Sequence, residues 1–199
     1  MEFFISTFLK IFVIMTPFFV LSVFITVTNE ASRKEKKDLA IKVTISVIVM
    51  SLILLFFGKH IFSIFGITLD AFRIGAGALL FLSAVDLVKG NKDKGKVEDK
   101  DISELAVVPL AMPVTVGPGV IGILLVMGAS FKDTSSLVIG SVALIIAVLV
   151  VGVMLYFSNI IEKLLGRQGL VVVSKITGIF VAAISAQIMF TGIKNFLGL

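Results

Sequence analysis

Apolar residues occupy this chain in six long blocks, with the charged residues gathered in the short gaps between them. The blocks run from Phe8 to Val27, Leu39 to Phe57, Ala71 to Val88, Leu105 to Met127, Leu137 to Phe157 and Val171 to Phe196. A helix needs roughly 20 apolar residues to cross about 30 Å of hydrocarbon, so each block predicts one transmembrane helix. Lys175 falls early in the last block. A lysine one turn inside a span can snorkel to the head groups, so the block is kept.

Composition agrees with the pattern. The 199 residues are 58% hydrophobic and 16% charged, with a mean hydropathy of +1.14, far from the balance of a soluble domain. A net charge of +5 would raise nucleic acid as a partner in a soluble protein. Here the bases mark topology instead. The gaps after the first, third and fifth blocks hold 13 Lys and Arg with their flanks, against 5 on the opposite side. The positive-inside rule then puts those gaps in the cytoplasm and both termini outside a cell membrane. The first block lacks a basic leader and a small-residue cleavage site, which reads as a retained helix. No cysteine is present, so disulfides and thiol chemistry are excluded.

Two blocks contain helix breakers. The fourth carries Pro109, Pro113, Gly117, Pro118 and Gly119, and the first carries Pro17. Proline removes a backbone donor and clashes with the preceding turn, and glycine admits dihedrals other residues avoid, so both helices are expected to be broken. The alternative is a plain kink for packing. Unpaired backbone at membrane depth persists only where it is buried in protein or faces a watery cavity, and such breaks usually serve a ligand.

An internal repeat is also expected. Pro17 to Ser22 (PFFVLS) is matched about 96 positions later by Pro113 to Pro118 (PVTVGP). Arg73, Ser83 and Gly90 are matched at a constant offset of 102 by Lys175, Ser185 and Gly192. Three helices per half force opposite orientations, so the expected fold is all-α: one transmembrane domain over residues 1–199, built from two inverted three-helix repeats. The halves cover about 1–90 and 105–199, joined by a cytoplasmic loop at about 91–104.

The broken segments are the leading site candidates. A break exposes amide N–H groups on one side and carbonyls on the other, a pair of poles suited to a small zwitterion. The expected substrate-binding residues are Thr16, Pro17, Phe19, Ser22, Met112, Pro113, Thr115, Gly117, Pro118 and Gly119. Asp86 is the one carboxylate inside a span and is a candidate for proton or cation coupling, against an interfacial ion pair with Lys89. Asp70 looks like a helix N-cap beside Arg73. The lone His60 has no second histidine or cysteine with which to build a conventional metal site. No metal and no cofactor are expected beyond H+ or Na+ as coupling ion. Small residues such as Gly77, Gly140 and Gly178 mark close helix crossings, compatible with a homo-oligomer.

AFRIGAGALLFLSAVDLVKG, PLAMPVTVGPGVIGILLVMG and KITGIFVAAISAQIMFTGI resemble the third, fourth and sixth helices of the MarC family, the UPF0056 group that includes SnatA-type small neutral amino acid transporters. The resemblance covers essentially the whole chain and carries over Pro17, Pro113, Gly117, Pro118 and Gly119. It implies a carrier of glycine, alanine and similar solutes, working by alternating access. The chain departs from the family pattern P-x-G-N-x-P in the first helix, with Phe19 in place of the glycine and Ser22 in place of the second proline. A less open first break would alter substrate size or coupling. The alternatives are an exporter of another small metabolite or drug-like solute, a membrane-embedded enzyme, and a scaffold that transports nothing.

Overall fold

The structure, a computed structural model, describes residues 1–90, 115–131 and 133–198, and every regular element among them is an α-helix. In order these are α1 (Glu2–Ile14), α2 (Pro17–Val27), α3 (Arg33–Phe65), α4 (Leu69–Lys89), α5 (Pro118–Ser130), α6 (Thr134–Tyr156) and α7 (Ser158–Leu197). Among the described residues five stretches are long and apolar enough to cross a membrane: α1 with α2, the Arg33–Gly58 part of α3, α4, α6 and α7. The expected fourth span is described only from Thr115, so Met112, Pro113 and the 91–104 loop lie outside the described residues.

Local chemistry sets the ends. Ser32 and Glu35 form a reciprocal capping box that starts α3: the Ser32 N–H donates to Glu35 Oε2 at 2.8 Å and the Glu35 N–H to Ser32 Oγ at 3.3 Å. Ser32→Ala removes one half of it. The expected result is a loss of about 1 kcal/mol in stability, checked by the thermal midpoint in detergent. The cap of α4 is not Asp70 but Thr68, whose hydroxyl accepts the Ala71 N–H at 3.2 Å. Asp70 instead takes Arg73 Nη1 at 2.6 Å, while Arg73 Nη2 donates to Ser130 Oγ at 3.0 Å and Asn195 to Asp70 at 3.3 Å. These four side chains tie together one end of α4, α5 and α7.

The last span differs from expectation at its start. Helix begins at Ser158 rather than Val171, and Gly166, at φ 66 and ψ 167, interrupts it. Residues 158–165 therefore form a short helical segment where a loop was expected, set off by a glycine in a region that a Cβ disfavours.

On α3 the residues Ile41, Ile45, Val49 and Ile53 recur every fourth position and are exposed, whereas Leu39, Val43, Val47 and Leu55 on the other face are buried. The exposed stripe is what a helix presents to lipid tails. Inside, glycines bring backbones together. α4 and α7 lie antiparallel: Gly77 faces Ser185 and Met189, and Gly178 faces Ala84, Leu87 and Val88. At one end of this pair Gly192 abuts Asp70, Arg73 and Ile74, and at the other Gly90 abuts Lys175. α2 packs on α7, α5 on both α4 and α3, and α6 on α1 and α3.

Candidate functional site

The break in the first span is present. α1 ends at Ile14, α2 starts at Pro17, and Met15 and Thr16 between them fall near the middle of the 26-residue stretch Glu2–Val27. Thr16 stands at φ 47 and ψ 58, the left-handed region, and is the one non-glycine residue with positive φ among the described residues. A β-branched side chain there is an outlier costing roughly 1–3 kcal/mol, the kind of strain retained at ligand sites. Its consequence for hydrogen bonding is direct. The Thr16 N–H turns to the Val13 carbonyl at 3.0 Å, so the Phe12 carbonyl is released from the helical ladder. On the far side the Thr16 carbonyl accepts from both Phe19 at 3.0 Å and Val20 at 3.1 Å. Pro17 at the first helical position has no N–H to leave unsatisfied, and the Phe18 N–H that follows has no acceptor within its helix.

Thr16→Asn tests the strain. Asparagine accepts the left-handed region far better than threonine, so the variant is expected to gain about 1 kcal/mol and melt a few degrees higher. An unchanged or lower midpoint would mean the residue is not held against its preference.

The second candidate segment begins in the described part with Thr115 and Val116, both buried, followed by Gly117 and the exposed Pro118. Gly117 is extended, at φ −67 and ψ 172, and Pro118 occupies the first position of α5. The 13 residues of α5 rise only about 20 Å at 1.5 Å each, less than the thickness of a hydrocarbon core. By length alone α5 does not cross the core; it is a short apolar helix packed among the longer ones. Its Gly119 and Val120 N–H groups lack in-helix acceptors, the Gly117 carbonyl taking Ile121 N–H at 2.9 Å.

Pro17 and Pro118 thus occupy the same place, the first residue of an apolar helix of 11 or 13 residues. The expected partner of Pro17 was Pro113. Pro113 lies outside the described residues, so of the matched stretch Pro113 to Pro118 the structure describes residues 115–118.

The other candidates are distributed as follows. Phe19 and Ser22 are half-buried on α2, and the Ser22 carbonyl accepts from Thr26 Oγ1 at 2.9 Å. Gly119 is buried against α4: a Cβ on it would lie 2.7 Å from Leu80 Cα and 2.9 Å from Leu80 N. Its described neighbour is a helix backbone. Asp86 is half-buried near the end of α4, its carbonyl accepting the Gly90 N–H at 3.0 Å.

Ser51 was not among the expected residues. It lies on the buried face of α3 between Val47 and Leu55, at 0% exposure, and its hydroxyl is the one buried side-chain polar atom without a hydrogen-bond partner among the described residues. A membrane-helix serine ordinarily bonds back to the preceding turn, as Ser174 does to Leu170 at 2.7 Å. Such an orphan in a core asks for a ligand or water. Nothing in its sequence context distinguishes it from the other span serines.

Comparison with known proteins completes the assignment. The model of the family described as MarC family integral membrane protein matches residues 1–197. A UPF0056 membrane protein of Aquifex aeolicus is 34% identical over 98% of this chain and 94% of its own length. Another from Methanocaldococcus jannaschii is 32% identical over 99% and 98%, and one from Pyrococcus abyssi 31% over 95% and 93%. No solved structure matches. With the match running from end to end, through the Pro17 break and the Gly117-Pro118-Gly119 turn alike, the chain belongs to the MarC family of integral membrane proteins.

Proposed function

We propose that this protein is a secondary transporter of small neutral amino acids of the glycine and alanine class, a carrier and not an enzyme. It works by alternating access and is coupled to a proton or sodium gradient. The observation that carries this is the left-handed Thr16 between two half-helices in mid-span, buried and followed directly by Pro17. Carbonyls at the end of α1 would hold the ammonium of a zwitterion, and the N-terminal amides of α2 and α5 its carboxylate. Phe19 restricts the space left for a side chain, and Asp86 is the coupling candidate.

An inverted repeat supports the same reading. A two-fold axis between α4 and α7 would exchange Arg73 with Lys175 and Gly192 with Gly90. The contacts Gly192 to Arg73 and Gly90 to Lys175 are such a pair, at opposite ends of the same helix crossing. Likewise α5 rests on α4 where α2 rests on α7. On this arrangement both termini are extracytoplasmic, and one half rocks against the other about the breaks.

The test is counterflow of labelled glycine in proteoliposomes holding the purified chain, with and without a proton or sodium gradient. Saturable exchange, competed by alanine and not by leucine, is expected. Exchange absent under every gradient would remove the amino acid assignment.

A further inference from the structure

At the membrane face carrying the α2–α3 connection, a cleft of about 310 Å³ opens between that connection and residues 158–165. Ala31, Arg33, Lys36, Asn159, Glu162 and Lys163 line it. Lys36 and Asn159 are half-buried and joined, Nζ to Oδ1, at 3.5 Å, while Arg33 and Lys163 are exposed at the rim. The charge inside is net positive. Glu162, the one carboxylate lining the cleft, is engaged by Arg167 Nε at 3.2 Å, and Arg167 Nη2 also donates to Asn29 Oδ1 at 3.3 Å. Glu35, close by in sequence, is turned onto the Ser32 cap.

Beside this basic cleft the same helical segment presents an apolar side. Ile160 is 61% exposed and Leu164 82%, one turn apart, with Phe157 also exposed. Gly166 then turns the chain into the last span. A short segment with cations on one side and bare aliphatic side chains on the other is built to lie in the head-group region, parallel to the surface.

We infer that the Arg33–Lys36–Lys163 cleft binds the phosphodiester of an anionic phospholipid, whose acyl chains run down past Ile160 and Leu164. Three cations that share one already paired carboxylate favour a phosphate without an accompanying ammonium, so phosphatidylglycerol is preferred to a zwitterionic lipid. The apolar flank distinguishes a lipid from free phosphate, which would gain nothing from it. This site shares no lining residue with the helix breaks, and the assignment does not depend on which solute is transported.

The full chain in nanodiscs or mild detergent tests it by lipid retention in native mass spectrometry. Wild type is expected to retain phosphatidylglycerol over phosphatidylcholine, with K36Q/K163Q weakening retention by roughly tenfold or more and K34Q, outside the cleft lining, leaving it unchanged. Competition on wild-type protein needs no variant: millimolar inorganic phosphate should not displace the lipid. Equal retention of both lipids, equal loss in K34Q, or displacement by inorganic phosphate would each overturn the assignment.

Discussion

Gly128→Val should leave little folded protein. A Cβ on Gly128 runs into the Leu55 carbonyl oxygen, and one on Gly58 runs into that of Leu125, so α3 and α5 meet through two reciprocal glycine-to-carbonyl contacts. Both obstacles are main chain. Neither can swing aside as the end of a side chain would, and Cα–H to carbonyl contacts of this kind supply part of the attraction between membrane helices. Overpacking a core costs about 1–3 kcal/mol when side chains can adapt, and here the two helices must separate. The expected outcome is a broad, aggregated profile in size-exclusion chromatography where wild type gives one peak. Because Gly58 and Gly128 guard one crossing, Gly58→Val added to Gly128→Val should cost much less than it does alone. Full additivity would show that the two contacts are independent.

Gly119→Val is expected to abolish glycine exchange in proteoliposomes, by at least about tenfold for each 1.4 kcal/mol lost, while the protein remains inserted. Gly119 sits one residue into α5, and the side chain would press on Leu80 Cα and N. The start of α5 must then lift from α4, carrying with it the N-terminal amides proposed to hold the substrate carboxylate. Gly119→Ala should already lose exchange, though less than the valine variant, because its single carbon would stand 2.7 Å from Leu80 Cα and the main chain must shift to admit it. Normal exchange in the valine variant would show that the α5 N-terminus takes no part in binding. Exchange lost only in step with folded protein would make Gly119 a packing residue and nothing more.

Much of the architecture was legible in the residue pattern. The span expected at Ala71 to Val88 is helix at Leu69–Lys89, and the span expected at Leu137 to Phe157 is helix at Thr134–Tyr156. The break at Pro17 could be read as well, since a proline inside an apolar block has few other outcomes. What could not be read was where strain would settle. Threonine gives no hint of φ 47, which Thr16 adopts in a segment whose Met15, Val20 and Leu21 are themselves buried, at 1%, 0% and 0% exposure. The same holds for Gly166, which the Lys- and Arg-bearing stretch around it made look like part of a loop.

By itself the amino-acid order determined that this chain enters a bilayer, where most of its apolar helices lie and that the first is interrupted at Pro17, because these depend on local transfer energy and on main-chain geometry one residue at a time. Tertiary structure alone decided that Gly119, Gly122 and Gly128 face helix neighbours, that Ser51 is stranded in the core, and that Arg33 and Lys163 meet around one cleft. Each of these joins residues far apart in the chain. The energy of a close approach resides in the partner as much as in the residue, and no local pattern encodes the partner.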